Sequence, residues 1–346
     1  MSTEKTDPQI WLTLEEVSEL SAEALRASNT SAANARSVAR SIAAAEADGL
    51  HSHGLMRLPA YCKHALCGKV DGRAIPRVES AAACAIKVDA GCGFAHPAID
   101  AGFCMLIPAA RKLGIAALAV RNSYNCGVVG HHVERLAVEG LIGLAFVNAP
   151  AAIAAWGGRK PMFGTNPIAM GTPRRHGTPM VIDQASSVIA RGEVMLKARE
   201  GKPIPAHWGF DAEGKPTTDP NAVLKEGSMA PAGGYKGATL ALMVEILAAA
   251  LTGANFSCDA SSLTDNRGGP PRIGQFFIAI DPSAFTDDFA DRIETLFTAI
   301  LSESGTRLPG ERRKAARAAA AKSAIAISRG LFEDISKRVP GLSFRR

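Results

Sequence analysis

The middle of the chain constrains the fold most, because short apolar runs alternate there with helical patterns. Residues 85–88, 115–120, 141–147, 168–170 and 180–182 read as strands, and 275–280 as a later one. Runs of this length, bounded by Gly, Pro and polar residues, are strand signals. Helical spacing intervenes at 98–112, 132–139 and 187–199, then at 239–251 and 284–301. Such alternation predicts an α/β fold with a mixed sheet. Upstream, Thr13 and Glu16 make a capping box before Leu14, Val17 and Leu20, so a first helix begins there. An alanine-rich helix fits 31–47. A third pattern covers 53–67, with Leu55, Leu58, Cys62 and Leu66 in phase and Gly68 as the stop. Pro59 lacks the amide that a helix interior needs, which demands a kink or a later start. The tail 311–329 reads as helical, and the Gly/Pro-rich stretches 201–231 and 263–271 read as loops. The organisation expected is a helical N-terminal part (1–75), a central sheet (76–285) and a C-terminal helical return (286–346).

Composition narrows the functional classes. A chain of 346 residues with 47% apolar and 21% charged residues can bury a large core, so disorder is excluded. The opening MSTEKTDPQIW has no apolar run of the secretory type. The longest apolar stretch, 240–251, carries Glu245 and is too short for a bilayer. A soluble cytoplasmic protein without a membrane partner is expected. The net charge of +6 points to an anionic ligand at most, and 5% aromatics offer no stacking platform for nucleic acid. The cluster Arg312, Arg313, Lys314 and Arg317 reads as the solvated face of a helix. Seven cysteines, mostly in apolar context and without CxxC, read as reduced core thiols, neither a disulfide frame nor a zinc site. His131 and His132 are adjacent, so they diverge on a helix and make a poor metal pair. No metal is expected.

Several signatures are missing. Gly91 and Gly93 reach His96 where a dinucleotide fingerprint needs its third glycine, and no P-loop or GxSxG elbow occurs.

The densest polar cluster is 48–58, DGLHSHGLMRL. On a helix starting near His53, that imidazole and Arg57 would share one face, four residues apart. Such a pair suits a small carboxylate: the guanidinium clamps the acid while the imidazole moves a proton at the neighbouring carbon. The same spacing also fits a surface ion-pair partner and a helix cap. Ser52, His53 and Asp183 could together suggest a hydrolase, but neighbours in sequence make an awkward nucleophile–base hydrogen bond.

Seven segments in order, SHGLMRLPAY (52–61), GKVDG (68–72), FGTNPIA (163–169), VIDQASS (181–187), PAGGYKG (231–237), LTGANFS (251–257) and RLPGERR (307–313), resemble the malate/L-lactate dehydrogenase family of the non-Rossmann type. The last two are most similar to the Δ1-piperideine-2-carboxylate/Δ1-pyrroline-2-carboxylate reductase branch. The resemblance implies a mixed, largely antiparallel sheet flanked by helices, a nicotinamide cofactor held by the central part without a Rossmann fingerprint, an active site between domains, and a homodimer. It implies His53 as proton donor, Ser52 and Asp183 as its polar relay, and Arg57 as the substrate-carboxylate anchor. Asp183 would fix the imidazole tautomer and raise its pKa. Cofactor contacts are implied for Asn125, Cys126, Gly127, Val128 and Val129, for Pro173, Arg174 and Arg175, for Tyr235 and Lys236, and for Arg307, Leu308, Pro309, Gly310, Glu311, Arg312 and Arg313. Paired guanidiniums among these favour NADP, with NAD as the alternative. One departure is Asn125-Cys126, where many members carry a His. The activity implied is hydride delivery to C2 of a small cyclic imino acid, giving L-pipecolate or L-proline. Alternatives are a malate- or lactate-type 2-hydroxy-acid dehydrogenase and a catalytically silent binding protein.

Overall fold

The computed structural model describes residues 8–339 and 341; the outermost residues of the two terminal parts, 1–7, 340 and 342–346, lie outside the described residues. Strand β1 (Gln9–Leu12) leads into α1 (Leu14–Ala27). Thr13 and Glu16 cap α1 reciprocally, each side chain accepting the other's backbone N–H, as the capping box predicts. Helix α2 (Ala32–Ala47) is capped by Ser31 and turns Ala35, Val38, Ala39 and Ile42 inward.

The 53–67 pattern is not one helix. Two 3-10 turns, His51–His53 and Leu55–Arg57, precede α3 (Leu58–Leu66). Gly54 separates them because the buried Glu46 fills the adjacent space. A Cβ at Gly54 would lie 2.1 Å from Glu46 Oε1, which accepts the Leu55 N–H at 2.7 Å. Pro59 falls in the first turn of α3, where a missing amide costs nothing, so the later start is the one realised.

The central part then supplies β2 (Arg77–Ala82), β3 (Ala85–Asp89), α4 (Ala95–Leu113), β4 (Ile115–Ser123), α5 (Val129–Val138) and β5 (Ile142–Val147). Short strands β6 (Ile153–Ala154) and β7 (Pro161–Phe163) come before β8 (Ile168–Thr172), β9 (Met180–Gln184) and α6 (Arg191–Glu200). The 201–231 stretch is not wholly loop. It holds helix α7 (Pro220–Lys225) between strands β10 (Gly209–Phe210) and β11 (Ser228–Met229), and the two strands join β6 and β7 in a four-stranded sheet. Helix α8 (Tyr235–Glu245) continues into a π turn, Ile246–Ala250, before β12 (Ile273–Ile280).

The main sheet has seven strands in the order β2-β3-β4-β12-β5-β8-β9. Only the β3–β4 pairing is parallel, so the sheet is mixed and largely antiparallel. Helices lie on both faces. On β12, Phe277 points to α4, meeting Phe103 edge-on at 5.3 Å, while Phe276 and Ile278 point to the α8 side with Val244 and Ala248. Successive strand residues face opposite ways, so a doubly covered strand must be apolar throughout. Gly171 of β8 lets α5 approach: a Cβ there would sit 2.3 Å from the Val133 carbonyl oxygen.

After α9 (Phe289–Leu301) the tail departs from its helical pattern. Helix α10 (Glu311–Ala320) stops, β13 (Ile325–Ser328) pairs antiparallel with β1, and α11 (Arg329–Ser336) follows. Alanine favours helix locally, but Ile325 and Ile327 are buried, Ile327 in the cluster formed with the N-terminal helices, and that packing decides the segment. The return is therefore part strand. The cysteines also differ from the core reading: all seven are free, but only Cys62 and Cys126 are buried.

Candidate active site

A cavity of about 550 Å³ opens between the 3-10 turns, the loop before α5, strand β9 and the start of α6. Ser52, His53, Arg57, Asn125, Cys126, Gly127, Val128, Val129, Asp183 and Arg313 all line it. The two turns thus present His53 and Arg57 to one cavity without a shared helix face. Arg57 donates from Nε to the Ser52 carbonyl at 2.9 Å, which braces its stem.

Ser52 Oγ lies 3.1 Å from His53 Nδ1, so sequence neighbours do make this hydrogen bond. With the hydroxyl donating to Nδ1, the ring proton sits on Nε2. Asp183 is not the imidazole's partner. Its Oδ2 accepts from the Gly130 N–H at 2.9 Å and lies 3.4 Å from Arg313 Nη1. A serine-hydrolase triad is therefore not assembled. The expected rise in the His53 pKa is also corrected. Burial, then the charges of Arg57, His131 and Arg313, push it down to about 4, and Asp183 is not among the causes.

Helix α5 begins at Val129 without a side-chain cap, and Gly127 before it holds φ +69°. A Cβ at Gly130 would come within 2.9 Å of both Arg313 and Asp183, so only glycine lets the three meet. Asn125 Oδ1 accepts from the Gly127 N–H and the Tyr61 hydroxyl, both at 2.8 Å, which fixes the loop. Cys126 is buried, and its thiol is pushed up to about 12, chiefly by burial and then by Asp183. It is no thiolate at neutral pH. His132 bonds the Cys126 carbonyl at 2.9 Å, whereas its neighbour His131 reaches Asp48 at 2.9 Å.

A second cavity, about 680 Å³, shares Leu50, Asp183 and Arg313 with the first and is lined by all seven residues from Arg307 to Arg313. The basic cluster there is not simply a solvated face. Arg317 forks onto both Asp48 and Glu134 at 2.7–2.9 Å, tying α10 to the end of α2 and to α5. Burial raises the Asp48 pKa, but bonds from His131 and Arg317 outweigh it and hold the acid low. Arg307 and Arg312 form no ion pair among the described residues.

Five implied cofactor residues stand apart from both cavities. Arg174 forks onto Glu294 at 2.7 and 3.0 Å and covers the Phe297 ring, and Arg175 pairs with Asp291 at 2.7 Å. Pro173 is half-buried beside them. Tyr235 packs edge-on to Trp156 and Lys236 is exposed at the start of α8. Conversely, Asn148, Thr165, Arg191 and Glu193 line the first cavity without having been singled out in the sequence. Thr165 lay in view within FGTNPIA, and Arg191 is the lone cation after the apolar run 188–190.

The malate/L-lactate dehydrogenase family model matches residues 12–336. The chain belongs to that family. Among family relatives, the (2R)-3-sulfolactate dehydrogenase (NADP(+)) of Chromohalobacter salexigens is 50% identical over 88% of this chain and 91% of its own. The Δ1-pyrroline-2-carboxylate/Δ1-piperideine-2-carboxylate reductase of Pseudomonas syringae pv. tomato is 42% identical over 87% of this chain and 88% of its own. The crystal structure of Δ1-piperideine-2-carboxylate reductase from Pseudomonas syringae superposes with a TM-score of 0.91 at 39% identity, covering 95% of this chain and 100% of that one. The fold is thus the family's mixed sheet, not a Rossmann sheet.

Proposed function

We propose that this chain is an NADPH-dependent reductase acting at C2 of small cyclic imino acids, converting Δ1-piperideine-2-carboxylate and Δ1-pyrroline-2-carboxylate to L-pipecolate and L-proline. One observation carries the reading. His53, Arg57, the loop before α5 and the Arg307–Arg313 segment, far apart in sequence, line two cavities that share a wall. The uncapped α5, its glycine loop and the unpaired Arg307 and Arg312 suit a dinucleotide carrying anionic phosphates. When bound, the nicotinamide supplies the hydride. Arg57 grips the substrate carboxylate with its free guanidinium edge. Hydride adds to C2, the C=N π pair moves to nitrogen, and His53 gives that nitrogen a proton. An anion beside Arg57 also offsets one of the charges that disfavour the imidazolium.

Relatives acting on imines and on a 2-hydroxy acid both support the reaction class, because C=N and C=O beside a carboxylate present similar geometry. The identity to the sulfolactate enzyme favours 2-hydroxy-acid dehydrogenation as the second reading. We also propose a homodimer, a cytoplasmic location, and division at 1–75, 76–285 and 286–346, the middle part holding most of the cofactor. No described helix is long and apolar enough to cross a membrane. Assays of NADPH and NADH oxidation with the cyclic imines, pyruvate and oxaloacetate test the proposal. Fastest oxidation of NADPH with a cyclic imine supports it. Cofactor binding without turnover on any acid leaves a silent binding protein instead.

A further inference from the structure

Glu46 sits where an acid is costly to keep. It lies in the last turn of α2, where the helix dipole disfavours a negative charge, and its side chain is only 2% exposed. Among the described residues its one ion-pair partner is His51, exposed on the first 3-10 turn. The carboxylate holds the segment carrying His53 from both sides. Oε2 accepts from His51 Nδ1 at 2.5 Å, two residues before His53, and Oε1 accepts from the Leu55 N–H at 2.7 Å, two residues after it. Between them Gly54 closes against the acid, and its carbonyl accepts from the Arg57 N–H at 2.9 Å. Ser52, His53 and Arg57 thus hang on a frame fixed by the two oxygens of one buried carboxylate. A neutral His51 ring still donates Nδ1–H to a carboxylate, so the frame does not depend on the His51 charge. Neither Glu46 nor His51 lines the cavity, so neither touches what binds there.

We propose that Glu46 is a positioning residue of the reaction: with His51 it brackets His53, and through Gly54 it sets the imidazole and the Arg57 guanidinium together against the acid. This rests on the C2 reading, in which those two groups meet the substrate. The test separates reach from charge. Glu46→Gln keeps the length, accepting from Leu55 through its oxygen and donating to a neutral His51 through its nitrogen, whereas Glu46→Asp keeps the charge but is one methylene short. With the fastest acid of the panel above, Glu46→Asp should lower kcat/KM at least ~10-fold, since a small misplacement of reacting groups is that costly. Glu46→Gln should stay within about threefold of wild type. NADPH affinity, read by fluorescence titration, should be unchanged in both, because the loop before α5 and the Arg307–Arg313 segment lie off this frame. Hydrogen exchange at the Leu55 amide should quicken in Glu46→Asp and not in Glu46→Gln. A Gln variant as slow as the Asp variant overturns the proposal, because charge and not reach then matters. Fast Leu55 exchange with wild-type turnover in Glu46→Asp overturns it too, leaving a contact that only braces the fold. Should Glu46→Asp fail to fold, His51→Ala at its exposed site carries the test: a loss of at least about threefold in kcat/KM at constant NADPH affinity supports the bracket, and a wild-type rate refutes it. Failure of the C2 reading shows separately, as no NADPH oxidation with any acid of the panel while the exchange contrast persists.

Discussion

At the scale of single residues, the protonation of His53 sets the pH dependence expected of the proposed reaction. With its pKa near 4, the free protein holds a neutral imidazole at pH 7, and the proton-giving imidazolium thins about tenfold per pH unit above that value. For reduction of a 2-oxo acid, kcat/KM should therefore fall with unit logarithmic slope from about pH 5 to 8, while the reverse oxidation, which needs the neutral ring, stays level. A flat reductive profile over that range contradicts the donor role. His53→Ala should lower turnover by roughly 10²–10⁴-fold. Arg57→Ala should act mostly on KM, because the lost contact is made to a carboxylate that does not react. The pair was legible in SHGLMR; the depressed pKa was not, since burial and the charge of Arg313 come from remote parts of the chain.

Elements position these groups, and α10 is the clearest case. Arg317 sits one turn beyond Arg313, and its double fork onto Asp48 and Glu134 sets the helix so that Arg313 meets Asp183. Removing the guanidinium leaves Asp48, 1% exposed at its side chain, with only the His131 ring as a side-chain partner. Arg317→Ala should cost ~1–3 kcal/mol in denaturant unfolding, less than a fully buried pair because Arg317 is itself partly exposed. Arg317→Lys should restore little, since an ammonium cannot serve two carboxylates as a planar fork does. The arginines proposed to meet the cofactor differ in the same way. Arg174 and Arg175 are held by Glu294 and Asp291, so a phosphate would have to compete for them. Replacing Arg307 and Arg312 should weaken NADPH relative to NADH more than replacing Arg174 and Arg175, as read by fluorescence titration. The reverse order restores the pair at 174–175 as the phosphate site.

Across the whole molecule, acid should loosen the fold. His96 is fully buried with neither ring nitrogen bonded, and burial pushes its pKa down to about 4; His132 beside it is also held well below the usual range by burial. Unfolded chains protonate these rings near pH 6.5, so the stability they confer is present above that pH and is lost as pH falls toward 4. For His96 alone this amounts to ~3 kcal/mol at the acid end. Midpoints of thermal unfolding should drop across that window and drop less in His96→Phe, which removes the titrating ring. A pH-independent midpoint between 4 and 6.5 contradicts the argument.

The amino-acid sequence by itself determined the alternation of strands and helices, the capping box at Thr13, and the polar cluster around His53 and Arg57, because these depend on spacing within one segment. Only tertiary structure decided that 325–328 becomes a strand, that Asp183 bonds Gly130 and Arg313, and that Arg174 and Arg175 are paired while Arg191 is not. Each of these depends on partners far away in sequence. Local propensity is weaker than the burial and charge those partners bring.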